Sequence, residues 1–381
     1  DMALWLFIMS AMVLVMVSIG GITRLTGSGL SMVEWRPLMG FFPPFSENEW
    51  LRVFNLYKAS PEYQEVNSGI SLSGFKSIFW WEFIHRFWGR LIGAAFLLPF
   101  LWFLFKRRIN PSLAPRLILL FILGGAQGFL GWYMVQSGLV NEPEVSQYRL
   151  AAHLSLALAL YIALFWTALQ LRFPNSEERQ GQKTKGVINL ARLTFFMVAI
   201  TILSGAFVAG TDAGFAYNTF PLMNGQLIPS GYLPHPWITS TFEDIATIQF
   251  NHRALAILSL FIALITWWQS RWVVLVERAR KVANGLLIII FLQVILGITT
   301  LLLAVPTPLA ATHQVGAVLL LTMTTWFIFE LNKLKYDYIF VTLEVNKKNS
   351  GQGYVLAEAE FAPEGGGFDG PLSNSEKKWK W

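Results

Sequence analysis

The sequence contains no cysteine, few charged residues and few histidines. Of its 381 residues, 14% are charged and five are histidines. Without cysteine, disulfide bonds, thiolate metal sites and cysteine nucleophiles are all excluded. Any chemistry must therefore use histidine, glutamate, aspartate, arginine or a bound cofactor.

Apolar residues dominate the chain instead, since 54% of it is hydrophobic, with 31 phenylalanines and 16 tryptophans. This composition is typical of a membrane protein. A run of about 20 apolar residues crosses the roughly 30 Å hydrocarbon core as a helix. Eight such runs predict an all-α polytopic membrane protein, with spans at about 3–22, 81–105, 115–137, 147–170, 187–209, 248–270, 283–304 and 309–331.

The basic residues predict the orientation of these spans. The formal net charge is +6, but the lysines and arginines lie mostly in short loops, which indicates membrane topology rather than nucleic-acid binding. We therefore expect these loops and both termini on the inner side, and the segments 23–80 and 210–247 on the outer side. The basic clusters follow the even-numbered spans, at 106–108, 179–185, 278–281 and 333–335.

The two halves of the sequence repeat. "QGFLG" at 127–131 recurs as "QVILG" at 293–297, and "EFIHR" at 82–86 recurs as "QFNHR" at 249–253. Looser matches relate "RLAAH" to "LAATH" and "GGITRLTGSGL" to "SGAFVAGTDAGF". The four spans of each half run in the same order and the same direction as their equivalents in the other half. This predicts two four-helix bundles related by a pseudo-twofold axis along the membrane normal. The predicted units are 1–172, 187–336 and a flexible inner-side tail at 337–381, to which we assign no function.

Four histidines fall within this repeat: His85, His153, His252 and His313. Each lies in the first two turns of a span that runs from outside to inside, so all four are expected near the outer face, one pair in each half. Two imidazoles that face each other across a four-helix bundle are suited to axial ligation of a haem iron. A zinc site needs three or four converging ligands, which one pair does not supply. His235, in a proline-rich outer loop, is expected to be simply exposed.

Residues next to the histidines are consistent with haem binding. Arg86 and Arg253 each follow a histidine at the aqueous end of a span, where a guanidinium either binds a propionate or anchors the helix at the interface. Gly89 and Ala256 lie one turn after a histidine, and their small side chains leave room either for a macrocycle or for close helix packing.

The two halves differ beside the histidines. Glu82 lies three residues before His85, on the same helical face, whereas the equivalent residue before His252 is Gln249. The carboxylate indicates that only the first site moves protons or stabilises positive charge. The alternative is a structural carboxylate that pairs with Arg86.

Together these motifs resemble the haem A synthase family over about residues 5–331. The resemblance implies an eight-helix protein that oxidises the C8 methyl group of haem O to a formyl group by successive hydroxylations. The chain lacks the cysteine pair of some bacterial members, so it resembles the alphaproteobacterial and mitochondrial kind. The strings that carry the resemblance are "GGITRLTGSGLSMVEWRP", "EFIHRFWGR", "GFLGWYMVQSGL", "VSQYRLAAH", "SGAFVAGTDAGFAYNTFP" and "PTPLAATHQ".

The resemblance also implies roles for individual residues. It assigns haem O or its product haem A to His85 and His153, and a haem b cofactor that relays electrons to His252 and His313. Glu82 would be the catalytic carboxylate. The implied partners are haem O synthase, a cytochrome oxidase assembly pathway, an electron donor and membrane lipid. The implied location is the bacterial plasma membrane or the mitochondrial inner membrane.

Two other classes of function are open at this point. A dihaem b-type cytochrome that only transfers electrons has the same histidine pairs, but it normally stacks its haems across the bilayer. A transporter built from repeats should have spans broken by glycine or proline near mid-membrane, and these spans are not.

Overall fold

The computed structural model describes residues 1–34, 42–138, 144–174, 179–180, 184–332 and 335–336. Eight helices within these ranges are long and apolar enough to cross a membrane, which confirms the all-α polytopic fold. The tail predicted at 337–381 lies outside the described residues. The eight long helices are α1 (Met2–Leu25), α4 (Leu72–Phe105), α5 (Ala114–Gln136), α6 (Gln147–Arg172), α7 (Thr184–Gly210), α9 (Ile245–Ser270), α10 (Glu277–Leu302) and α11 (Thr307–Asn332).

The remaining described elements are short. Three helices lie in the segments that join long helices on the predicted outer side: α2 (Glu47–Lys58), α3 (Pro61–Glu65) and α8 (Trp237–Glu243). Two residues of β1 (Arg179–Gln180) pair in parallel with β2 (Lys335–Tyr336).

The long helices pack as two closed rings of four. In the first half α1 contacts α4, α4 contacts α5, α5 contacts α6, and α6 returns to α1. In the second half α7, α9, α10 and α11 contact one another in the same cyclic order. The rings meet through α1, α6, α7 and α11, which share one apolar core. As a result, α4 faces α6 across the first ring and α9 faces α11 across the second. The pseudo-twofold axis itself stays a prediction.

Helix α4 begins nine residues earlier than the apolar run predicted. Ser71 caps it by accepting a hydrogen bond from the Gly74 amide. At 34 residues the helix is about 50 Å long, so it extends well beyond the hydrocarbon core. Its first turns were not included in the predicted span because serine and lysine residues interrupt the apolar run there.

The first turns of α4 pack with α2 and α3 into a small domain, which we call the outer cap. Its centre is Phe75, whose ring centroid lies 5.0 Å from those of both Phe54 and Tyr57. Trp50 contacts Phe79 at 4.9 Å between ring centroids. This aromatic cluster covers the outer end of the helix that carries Glu82 and His85.

The outer cap contains a buried carboxyl group. Glu62 is 5% exposed, and its Oε2 has no hydrogen-bond partner among the residues that the structure describes. Burial, with a smaller contribution from the charge of Glu82, raises the pKa of Glu62 from 4.5 to about 7, although the Tyr57 hydroxyl acts to lower it. The folded cap therefore binds a proton more tightly than the unfolded chain, so its stability is greatest below pH 4.5 and decreases as the pH rises towards 7.

We expect Glu62→Gln to raise the thermal unfolding temperature at pH 8 and to leave it nearly unchanged at pH 4.5. The glutamine amide is neutral at both pH values. The substitution therefore removes the loss of folding stability that deprotonation of Glu62 causes, which is at most about 3 kcal/mol. The measurement is a thermal scan of the purified protein in detergent at several pH values. Glu65→Gln, at an exposed position of the same helix, is the control. An equal effect of the two substitutions would contradict the account.

Candidate functional site

The four histidines of the repeat lie on helices that face each other across the two rings. His85 is on α4 and His153 on α6, while His252 is on α9 and His313 on α11. The imidazoles of the first pair are close enough to interact electrostatically, and so are those of the second pair. All four side chains are half-buried. Each ring of helices therefore brings one pair of imidazoles together in its interior.

Each imidazole lies against a glycine of a neighbouring helix in its own ring. A Cβ atom at any of these glycines would come 2.8–3.2 Å from the imidazole Cε1. That is closer than side chains normally pack, so a larger residue would displace the ring. The four contacts are Gly20 with His85, Gly131 with His153, Gly205 with His252, and Gly297 with His313.

Two glutamines hold the backbone of the second histidine in each pair. The Nε2 atom of Gln127 donates to the carbonyl oxygen of His153 at 3.0 Å, and Gln293 donates to that of His313 at 2.8 Å. Both glutamines open the repeated "QGFLG" and "QVILG" motifs. Their buried Oε1 atoms have no partner in the part of the chain that the structure describes.

Ser204 is the hydrogen-bond partner of the His252 imidazole. Ser204 Oγ donates to the Thr201 carbonyl oxygen at 2.8 Å and lies 2.7 Å from His252 Nδ1. Since the Thr201 carbonyl oxygen already offers an acceptor to the Ser204 hydroxyl, we infer that the imidazole donates from Nδ1 to Ser204. The lone pair then lies on Nε2, which is the form that ligates a metal. In the same ring, His313 has a buried Nδ1 for which the described part of the chain offers no hydrogen-bond partner.

Glu82 is the buried acid beside the first pair, at 3% exposure. Its Oε2 accepts hydrogen bonds from Ser31 Oγ and from the Met32 amide, both at 2.7 Å. Its Oε1 pairs with the Arg86 guanidinium on the same helix. The contact with Arg86 is the structural alternative considered from the sequence, so a catalytic role for Glu82 rests on its position rather than on a free carboxylate.

The two arginines bind the loops that follow α1 and α7. Arg86 donates to the Met32 carbonyl oxygen at 3.0 Å, and Arg253 donates to those of Tyr217 and Thr219 at 2.6 and 2.8 Å. Both therefore anchor the loop that follows the first helix of their ring to a histidine-bearing helix. The buried Nε of Arg253 has no partner among the described residues, so this guanidinium keeps one donor for an anion.

Gln249 takes the place of Glu82 in the second ring. Its Nε2 donates to the Tyr217 carbonyl oxygen at 3.2 Å, and its Oε1 accepts from Arg253 at 3.4 Å. The scaffold thus accommodates an amide where the first ring has a carboxylate. The difference between the rings is one of charge, because both side chains are buried and contact the arginine one turn later.

We expect Gly131→Ala to reduce haem binding by the first pair of histidines. The new Cβ would lie 3.1 Å from His153 Cε1 and would rotate or displace the imidazole. Haem content per protein, measured from the spectrum of the purified variant, checks this expectation. The matched control on the same helix is Gly128→Ala, where nothing lies within 4 Å of the new Cβ. Equal haem content in the two variants would contradict a positioning role for Gly131.

Comparison with known proteins relates most of the chain to one family. The model of a family described as "Cytochrome oxidase assembly protein" matches residues 3–325, and one described as a domain of unknown function matches residues 327–381. The "Heme A synthase" of Nitrosospira multiformis is 49% identical over 332 residues, which cover 87% of this chain and 93% of that protein.

Two further relatives cover most of the chain. The "Heme A synthase" of Paramagnetospirillum magneticum is 46% identical over 336 residues, which cover 87% of this chain and 94% of that protein. The "Heme A synthase COX15" of Arabidopsis thaliana is 44% identical over 330 residues, which cover 84% of this chain and 72% of that protein.

Proposed function

The chain belongs to the cytochrome oxidase assembly family that includes the haem A synthases, and from this premise we propose that it oxidises the C8 methyl group of haem O to the formyl group of haem A. It is a membrane oxidoreductase of that family. One observation supports the assignment of a substrate site and a cofactor site. Two matched pairs of imidazoles occur in the chain, and a buried carboxylate lies beside the first pair but not beside the second.

In this proposal the first ring of helices binds the substrate. His85 and His153 hold haem O by its iron, and Gly20 and Gly131 allow the two imidazoles to sit close to their neighbouring helices. Gln127 fixes the backbone at His153. The outer cap covers the outer end of α4 and limits access of water to the site.

The second ring binds a haem b cofactor between His252 and His313. The residues fit this group, because the Nδ1–H of His252 is used by Ser204 and two glycines leave room for the imidazoles. When bound there, haem b supplies one-electron chemistry to the reaction. Arg253 retains a buried donor for an anionic group such as a propionate.

Glu82 provides negative charge at the substrate site. Three donors orient the carboxylate: Ser31, the Met32 amide and Arg86. An oriented anion in a partly dehydrated site stabilises positive charge that develops at the reacting methyl carbon. The amide of Gln249 has no such effect, which agrees with a second site that transfers electrons and performs no chemistry on its haem.

The test is conversion in a living cell. The chain is expressed with a haem O synthase in a bacterium that makes no haem A, and the extracted haems are separated by chromatography. We expect haem A in these cells, and haem O without haem A in cells that lack the chain. Absence of haem A despite folded, membrane-located protein would favour the alternative, a dihaem cytochrome that only transfers electrons.

The basic inner loops predict that both termini lie inside and that both haem sites lie near the outer face. Because the chain lacks cysteine, single cysteines report the side of each loop. We expect a membrane-impermeant thiol reagent to label Leu227→Cys from the outside and Lys106→Cys only from the inside, and both positions are exposed. Labelling of both from one side would contradict the predicted topology.

A further inference from the structure

The two pairs of histidines are linked by a polar contact between α1 and α11. We propose that Gln314 is a positioning residue that sets the spacing between the two haem sites through its contact with Gly21 and Val17. The proposal rests on the function proposed above. The amide of Gln314 contacts α1 and does not contact an imidazole of either pair.

One end of the link is next to the second pair. Gln314 directly follows His313 on α11, and its Nε2 donates to the Val17 carbonyl oxygen of α1 at 3.2 Å. Its Oε1 occupies the space beside Gly21, where a Cβ atom would lie only 1.7 Å away. The Gln314 amide can therefore approach the backbone of α1 because Gly21 has no side chain.

The other end of the link is at the first pair. Gly20, next to Gly21 on α1, lies against the His85 imidazole, and a Cβ atom at this position would be 3.2 Å from His85 Cε1. A single turn of α1 thus contacts both a substrate-site histidine and the residue that follows a cofactor-site histidine. Movement of α11 relative to α1 would change the distance between the two sites.

The contact is absent from the equivalent helix pair. Gly20 corresponds to Gly205 because each lies against the first imidazole of its ring, so Gly21 corresponds to Ala206 on α7. Gln314 corresponds to Leu154 on α6 because each directly follows the second histidine of its ring. Alanine carries the Cβ that would exclude the amide, and leucine has no hydrogen-bond donor. Among the described residues, the glutamine link therefore joins α1 to α11 and has no counterpart between α7 and α6, while a separate hydrogen bond joins Tyr161 of α6 to Thr322 of α11 at 2.7 Å.

A hydrogen bond of this kind has a modest strength of about 1 kcal/mol. The bond nevertheless holds α11 against α1, because no water is available inside the membrane to take the place of either hydrogen-bonding partner. Electron transfer between two cofactors slows steeply as their separation grows, so a small shift of α11 would reduce the reaction more than it would reduce stability.

The test introduces the residues of the equivalent helix pair. The variants are Gln314→Leu and Gly21→Ala, and the control is Gly93→Ala, where nothing lies within 4 Å of the new Cβ. Spin labels at Val15→Cys and Leu319→Cys, both on exposed faces of α1 and α11, report the spacing by pulsed electron paramagnetic resonance. Haem content and haem A yield are measured on the same samples.

We expect both variants to keep both haems, to broaden or lengthen the distance between the labels, and to lower the haem A yield about tenfold or more, as small misplacements of reacting groups do. An unchanged distance and yield would show that Gln314 only joins two helices. Loss of haem b would show that it supports the His313 ligand instead, and would equally overturn the proposal. Failure of the wild-type chain to make haem A would refute the proposed function, while the label distances would still be measurable.

Discussion

Glu82→Gln should abolish haem A formation while both haem sites stay filled. The substitution removes one negative charge and leaves a side chain of nearly the same shape. Gln249 demonstrates that the scaffold accommodates an amide at the equivalent place, where it contacts the arginine one turn later. Removal of one preorganised electrostatic group in an active site typically costs a hundredfold to a thousandfold in rate. Haem A per folded protein should fall by about this factor.

The matched control for this substitution is Gln249→Asn, which alters the equivalent position without changing charge in the first ring. It should leave haem A formation close to normal as long as haem b is retained. If Glu82 only holds Arg86 in place, Glu82→Gln would lose haem or stability, and the surviving molecules would keep normal turnover. Normal haem A yield per folded Glu82→Gln protein would refute the catalytic role.

His313→Ala should remove haem b and leave haem bound between His85 and His153. The two pairs lie in separate rings of helices, so the loss of one ligand does not alter the other pair directly. His252→Ala should have the same effect. The measurement is the content of each haem per protein, by spectroscopy and chromatography after extraction.

A control in the first ring completes this comparison. His153→Ala should give the reverse pattern, with haem b retained and the substrate haem lost. His235→Ala, in an outer loop away from both pairs, should change neither. Full haem b content in His313→Ala would contradict the assignment of that ligand, whatever the haem A yield of the variant.

The membrane fold was predictable from the sequence because lipid imposes length and hydropathy on every spanning helix. All eight spans were placed correctly, with errors only at their ends. Helix α4 begins at Leu72 rather than at about 81, since its outer turns are stabilised by aromatic packing in the outer cap. Helices α2 and α3 were not predicted, because short amphipathic helices carry no comparable hydropathy signal.

The candidate site was predictable only in its chemically conspicuous residues. The histidines and Glu82 were identified by type and by the repeat. The sequence left Gly89 open between room for a macrocycle and close helix packing. A Cβ there would meet Met16 Cε of α1 at 3.3 Å, which favours helix packing. The glycines that contact the imidazoles lie on neighbouring helices, which no spacing within one helix reveals.

A usable signal for some of these residues was nevertheless present. Gln127 and Gly131 recur as Gln293 and Gly297 in the two halves, and residues retained in both copies of a repeat serve both sites. Arg86 and Arg253 were singled out because each directly follows a histidine of the repeat, and their position at the aqueous end of a span stays a prediction. Their bonds to loop carbonyl oxygens were not foreseeable, because those loops have little similarity in sequence.

The haem composition of the purified chain tests the central claim most directly. The claim is that one chain holds a substrate haem and a cofactor haem in two separate sites. Protein produced together with a haem O synthase should yield two haems per chain after extraction, one of them haem b and the other haem O or haem A. Haem b alone, in cells that contain haem O, would contradict the account.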